Sequence, residues 1–440
     1  MLSYVSCGVI LVLGYLAWWW ISVTSSVEPG VANTIGYPLV GNALDFLPHK
    51  LLGSLEYYRK KFGSLVLVRI FFQRVFIVAD PQVAREVLMK RPKQFRRSRQ
   101  SLYTGKVSNV NLSLLHAHGL LWSRLRRSTA PSFSTMNVAN KVDIIVDELR
   151  SWIGRLKTAS QNPHHPVDMT TEAFTLTTRV ISRVAFGLDP ENPVIAYFFS
   201  PMFIDDMKAV LDYTLEFTFR RLPVWLWKIS PWYHFERRVV KTDQRLTTQC
   251  QAVLDYKRAL NTRNNNINPS NQSSTGMIDV LIQKNEKDNT EGGGGMTDEE
   301  IIHNIKIFYF AGTDTTGITI SWLTYFLSLH PAVQEKVRNE VCSVLFAHAY
   351  IDYTQTKACT YTHAVVKETM RLRNAASMLI LEPEDNLDSV VLSSGLVLKQ
   401  GDAVWVYIDG VLWNEDIFPN PSEFLPDRWL PEHTEAGQLS

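Results

Sequence analysis

The sequence predicts a mainly α protein with small β-sheets, and three observations carry that expectation. One long segment, from about Thr297 to Phe326, is apolar at helical spacing throughout. Other helical patterns fill much of the chain, among them residues 142–156, 170–186 and a stretch from about His363. Short runs rich in Val, Ile and Phe read as strands at 65–71, 75–78, 390–392, 396–398 and 403–407, with Gly395 and Gly401 at turns.

From the N-terminus, the first charged side chain is Glu28. Residues 4–23 before it are mostly apolar and, as a helix, long enough to span about 30 Å of hydrocarbon. Trp18, Trp19 and Trp20 suit an interfacial belt. A cleaved signal peptide wants a basic start and a small-residue cleavage site, and both are poor here. An uncleaved anchor over residues 1–27 is therefore expected, followed by a proline and glycine hinge over 28–49. Lys50, Arg59, Lys60 and Lys61 favour a cytosolic body, although they lie far from the span. The sequons at Asn111 and Asn271 are then unused. Asp80-Pro81 opens a helix that runs through Leu88. Residues 98–119 read as irregular and lead into a helix carrying Trp122. Residues 217–240 are aromatic and basic, which suits either a second membrane contact or a packed connection between helices. Low-complexity loops at 264–274 and 292–295 bracket a short helix near Met277. His116/His118 and His164/His165 lie in loops and read as solvated rather than metal-binding.

The long segment is the most informative. Thr297 followed by Glu300 is a capping box. Within the helix, Ala311-Gly312-Thr313-Asp314-Thr315-Thr316 sets an acid beside an alcohol in apolar surroundings, where an unpaired polar group is costly. Gly312 removes bulk from one face, so that something flat can approach the backbone. The Thr315 hydroxyl can reach the carbonyl of Ala311, four residues back, a bond that bends or opens a helix locally. Asp314 with Thr315 suits a relay delivering protons to a molecule lying against the helix. A polar cap or solvated turn is the alternative.

Composition sets outer bounds. An apolar share of 45% supports a large core, and a formal net charge of +2 gives no argument for nucleic acid. Four cysteines without paired spacing fit a reducing compartment.

The central segment resembles the kinked central helix of the cytochrome P-450 haem-thiolate monooxygenases. Glu368-Thr369-Met370-Arg371 matches that family's Glu-x-x-Arg, with both charges on one helical face. Phe424-Leu425-Pro426-Asp427-Arg428-Trp429 matches its Phe-x-Pro-Glu-Arg-Phe, which implies that Arg428 joins Glu368 and Arg371 in a buried triad. Trp122-Ser123-Arg124-Leu125-Arg126 matches its Trp-x-x-x-Arg, which implies that Trp122 and Arg126 hold a haem propionate. Residues 35–42 look like its proline-rich hinge, and Phe95-Arg96-Arg97 like its lead-in to the second helix. The motifs occur in family order and cover nearly the whole chain.

The resemblance implies one large domain of the microsomal eukaryotic type over residues 50–440, with haem iron lying against Ala311 and Gly312. It implies a monooxygenase that takes electrons from an NADPH-dependent reductase and inserts one oxygen atom of O₂ into an apolar substrate, fatty-acid-like molecules being one candidate class. It also implies an endoplasmic-reticulum membrane location with a cytosolic body. The family's Phe-x-x-Gly-x-Arg-x-Cys-x-Gly ligand loop does not occur, and Cys7, Cys250, Cys342 and Cys359 lie outside any such pattern. The reading is therefore of a domain incomplete at its C-terminus. Leu381 and Trp413 stand where basic residues are common, which throws propionate anchoring onto Arg126. A haem-free, membrane-anchored binding protein is the alternative reading; a haem enzyme rearranging peroxides is another, against which the acid–alcohol pair argues.

Overall fold

The structure, a computed structural model, describes residues 13–21, 28, 30–161, 166–267, 276, 278, 279, 281, 282, 295–345 and 351–431. Cys7, the sequon at Asn271, His164/His165 and most of the low-complexity loops lie outside them. The chain divides into two compact units, one of residues 1–104, 214–233 and 376–412, the other of residues 105–213, 234–375 and 413–440.

The first unit is built on a six-stranded sheet. Its strands are β1 (Ala32–Asn33), β2 (Leu65–Ile70), β3 (Gln73–Val78), β4 (Phe95–Arg97), β5 (Met378–Pro383) and β8 (Ala403–Tyr407), in the order β1-β2-β3-β8-β5-β4. β6 (Ser389–Val391) and β7 (Val397–Lys399) form a separate antiparallel pair. Every residue of β8 is buried, as expected of a central strand covered on both faces. Phe95–Arg97 leads into the helix Arg99–Val107, in line with the lead-in that the sequence suggests, and its pairing as a strand with β5 adds to that expectation. β4 is a three-residue edge strand with no alternation to read, and its pairing with β5 is supplied by residues nearly 290 positions away. Residues 98–119 are less irregular than expected, since Arg99–Val107 is helical.

Residues 30–49 belong to the folded body. β1 pairs parallel with β2, and Phe46 is fully buried. Gly41 has φ 58°, and a Cβ there would stand 2.2 Å from the Arg69 carbonyl oxygen, so only glycine fits. Residues 13–21 are helical, with Leu13, Trp18, Trp20 and Ile21 exposed. No helix among the described residues is long and apolar enough to cross a membrane, so the expected spanning helix is not shown. The aromatic and basic segment divides by face. Trp227 is buried edge-on against Phe217, whereas Trp225 and Ile229 on the short helix Val224–Ile229 are 68% and 74% exposed.

The second unit is helical. Its central helix, Asp298–Leu329, begins with the expected capping box: the Glu300 amide donates to Thr297 Oγ1 at 3.2 Å, and the Thr297 amide donates to Glu300 Oε2 at 2.9 Å. The helix stays α-helical along its length, without the local opening anticipated at Thr315. It packs along the helix Met169–Val184, where Tyr309 lies stacked between Phe186 and Phe198 at 4.2 and 3.7 Å. Its N-terminal half also fixes the loop before the Trp122 helix. The Leu112 amide donates to His303 Nδ1 at 3.1 Å, and the Leu114 amide to Asn304 Oδ1 at 2.9 Å.

The triad anticipated from the motifs is formed. On the helix Thr360–Leu372, Arg371 donates from Nε and Nη2 to the two oxygens of Glu368, at 2.9 and 2.8 Å, with both side chains wholly buried. Arg428 Nε adds a bond at 3.2 Å, the Leu425 amide one at 3.0 Å, and Trp429 Nε1 one at 2.8 Å. Arg371 Nη1 donates to the Pro421 carbonyl, and Nη2 donates also to the Glu423 carbonyl. A fully buried arginine and a partly buried one around one carboxylate are stable only while that charge is present.

Glu368→Gln leaves those cations uncompensated and is expected to lower stability by about 3–5 kcal/mol. Trp429→Phe, which removes one bond to a charged group, is expected to cost about 1.5–3 kcal/mol. Urea midpoints of the three proteins check this; a Glu368→Gln loss no larger than the roughly 0.5 kcal/mol of a surface change would remove the triad as a brace. A second expectation concerns His303. Burial, with Lys306 nearby, lowers its pKa from 6.5 to about 4, so it stays neutral and able to accept from Leu112. The unfolded chain binds the proton first, so stability should fall as pH drops from about 6.5 toward 4. Denaturation midpoints across that window should show the slope in the wild type and lose it in His303→Gln.

Candidate functional site

The two sides of the central helix do different work. Thr313 and Gly317, four residues apart, face the helix Met169–Val184. Thr177 Oγ1 donates to the Thr313 carbonyl at 3.1 Å, and a Cβ on Gly317 would stand 3.1 Å from Phe174. Gly312 belongs with them: a Cβ there would meet Ile181 Cδ1 at 2.7 Å. The bulk missing at Gly312 thus admits a neighbouring helix, which corrects the expectation of a flat group lying in that notch.

Ala311 and Thr315 share the other face. Thr315 is exposed, and its hydroxyl donates to the Ala311 carbonyl at 2.8 Å, the bond its position foretold. Asp314 is half-buried and makes no hydrogen bond or ion pair among the described residues. Burial alone raises its pKa above the ordinary carboxylate value. A carboxyl shifted toward its protonated form beside an exposed hydroxyl pairs an acid with a proton carrier.

Trp122 and Arg126 sit on the helix Gly119–Thr129. Trp122 is half-buried against the apolar core that includes Leu125, Ile305 and Tyr309. Its arginines divide in function. Arg124 is held by both oxygens of Glu300, tying this helix to the cap of the central one. Arg127 donates to the Ser123 carbonyl. Arg126 is exposed and has no partner among the described residues, leaving its fork free for a carboxylate.

Two further bases come into view that the motifs did not single out. β4 and β5 pair so that Arg97 lies directly across from Leu381. Arg97 is half-buried without a carboxylate partner among the described residues, and burial together with Arg91 lowers its pKa to about 10. Separately, Arg373 lies over the rings of Trp322 and Trp413, at 5.1 and 5.8 Å. Each position where a base was missed thus has an arginine as a spatial neighbour. Trp429 on Glu368 was also missed, its motif position reading only as an aromatic.

A haem-thiolate group fits this residue set in part. The free Arg126 guanidinium suits a propionate, and the Asp314–Thr315 face suits the oxygen side. The described cysteines do not suit the iron. Cys250 is fully buried among apolar side chains, which pushes its thiol up to about 12. Cys359 is also raised by burial, and its Sγ donates to the Gln355 carbonyl. Cys342 lies on the helix Pro331–Leu345.

Known proteins agree with this geometry. The sequence profile of the cytochrome P450 family matches residues 32–439. A putative cytochrome P450, CYP13A8, of Caenorhabditis elegans is 24% identical, covering 96% of this chain and 84% of that protein. A steroid 17-alpha-hydroxylase/17,20 lyase of Macaca fascicularis is 26% identical over 96% of this chain and 81% of its own length. Trans-cinnamate 4-monooxygenase C4H1 of Petunia hybrida is 25% identical, over 92% and 78%. Among solved structures, a cytochrome P450, CYP102L1, superposes with a TM-score of 0.72 at 19% identity, covering 93% of this chain and 85% of that one. From the buried triad, the central helix and a match over nearly its whole length, the chain belongs to the cytochrome P450 family.

Proposed function

We propose that this chain is the body of a haem-dependent monooxygenase acting on an apolar substrate, fatty-acid-like in its bulk, with electrons from an NADPH-dependent reductase. The observation that carries the reading is Asp314 beside Thr315 on the open face of the central helix, the acid unpaired among the described residues and held toward its protonated form. When bound, the haem supplies oxygen activation. The chain's part is to hold and move protons. Asp314 passes its proton to Thr315, whose hydroxyl leaves the Ala311 carbonyl to hand a proton outward. Arg126 orients a propionate. Residues 1–27 anchor the chain in the endoplasmic reticulum membrane with a cytosolic body. The exposed Trp225 and Ile229 support a second contact with that membrane.

The raised thiols favour a second reading for the 440 residues as they stand, a haem-free member that binds rather than oxidises. Carbon monoxide added to the reduced, haem-supplemented protein separates the two. No haem-thiolate Soret band is expected from these residues, and its appearance would identify a thiolate among the four cysteines.

In any haem-thiolate form that turns over, Thr315→Ala should let oxygen consumption continue while product falls roughly a hundredfold, the scale of a lost acid–base group. Oxygen uptake and product measured together check this, and unchanged coupling removes Thr315 from the relay. Because Asp314 acts while protonated, product formation should decline as pH rises through its raised pKa. Asp314→Asn should abolish that decline; a profile that survives the substitution assigns the proton elsewhere.

A further inference from the structure

A cleft of about 890 Å³ opens within the first unit, between the segment Asn33–Tyr37 and the helix Leu51–Phe62. None of the residues assigned above to proton transfer or propionate binding lines it. Its chemistry has two poles. At one, Tyr57 and Tyr58 stand 5.7 Å apart with their planes at 75°, two walls meeting near a right angle. Tyr37 and Tyr57 are 62% and 52% exposed, so much of their ring surface is uncovered, with the Lys61 ammonium 5.2 Å from the Tyr57 ring centre. Asp45 completes this pole. One of its oxygens accepts the Tyr58 hydroxyl at 2.7 Å, and Asn42 Nδ2 donates to the same hydroxyl at 3.1 Å, which fixes the ring. The second Asp45 oxygen has no partner among the described residues.

The other pole is cationic. The helix carries Arg59, Lys60 and Lys61 in succession, and Glu56 takes the first two, at 2.8 and 3.4 Å. Lys61, which lines the cleft, has no carboxylate partner among the described residues; its ammonium donates to the Tyr57 hydroxyl, at 2.7 Å. A pure anion would meet Asp45, and a pure cation would meet Lys61. Open aromatic faces with a carboxylate attract a quaternary ammonium, and a nearby lysine attracts a phosphate. Gly53 keeps the wall low, for a Cβ there would meet nothing within 4 Å and no packing demands glycine.

We infer that this cleft binds a zwitterionic headgroup of the phosphocholine type, with the ammonium against Tyr37, Tyr57 and the free Asp45 oxygen and the phosphate on Lys61. This is independent of whether the chain holds haem. Calorimetric titration of the full chain with phosphocholine, choline and inorganic phosphate tests it. Phosphocholine should bind at least tenfold more tightly than either half alone. Tyr57→Ala, Asp45→Asn and Lys61→Gln should each weaken it at least tenfold, with unchanged circular dichroism showing that the variants are folded. Lys60→Gln, beside Lys61 on the helix but outside the cleft lining and paired with Glu56, should change it less than twofold. Equal binding of all three probes, absence of phosphocholine binding, or indifference to Tyr57→Ala and Asp45→Asn overturns the inference. Vesicles distinguish the source. Binding to phosphatidylcholine over phosphatidylglycerol, with the same variant pattern, supports a bilayer lipid as ligand; binding of the free headgroup alone supports a soluble one. A preference for phosphatidylglycerol that Lys60→Gln and Lys61→Gln reduce alike is general charge attraction and overturns the site.

Discussion

A single buried carboxylate organises the C-terminal part of the second unit. Glu368 lies wholly out of water and receives five donated bonds, from two nitrogens of Arg371, one of Arg428, the Trp429 indole and the Leu425 amide. A charge so placed is tolerable only when its lone pairs are filled. The segment from Pro419 to Trp429 therefore returns across the helix Thr360–Leu372, because the donors reside there. The arginines in turn take up the carbonyls of Pro419, Pro421 and Glu423, so an irregular stretch of chain acquires a fixed path without regular secondary structure. Phe424 stacks on Phe326 at 4.7 Å and ties that path to the central helix.

The central helix shows how one element serves packing and chemistry by facing two ways. Small residues at 312, 313 and 317 admit a neighbouring helix to close range. Turning toward Ala311 and Thr315 brings the exposed hydroxyl and the half-buried acid. The sharp boundary between these faces explains why an unpaired acid can be kept here: the packed side holds the helix straight while the open side bears the polar groups. The capping box at Thr297 and Glu300 adds a second link, since Glu300 also holds Arg124 and so aligns the helix bearing Arg126.

Much of this was legible in the residues. Spacing alone gave the capping box, the Thr315 bond to Ala311 and β8, and the motifs gave the Glu368 triad. These features are local or rest on short patterns. What escaped depends on pairing between distant segments. β4 is three residues long and has meaning only opposite β5. Gly312 was read as a surface notch because nothing in the sequence tells that Ile181 fills it. The hinge was read as a spacer because its strand of two residues is defined by β2 alone. The apolar N-terminal stretch was assigned to the membrane by its composition, yet only residues 13–21 of it are described, and as a short helix.

The pairing of β4 with β5 has an evolutionary reach. Because Arg97 and Leu381 are cross-strand partners, a basic group at this place in the sheet can be supplied from either strand. A lineage can move the charge from one partner to the other by two substitutions without passing through a state that lacks it. The register must then be preserved more strictly than either residue. A one-residue slip would turn Arg97 to the opposite face of the sheet and strand the cation there. Strand alignment, rather than the identity of the base, is what such a lineage is bound to keep.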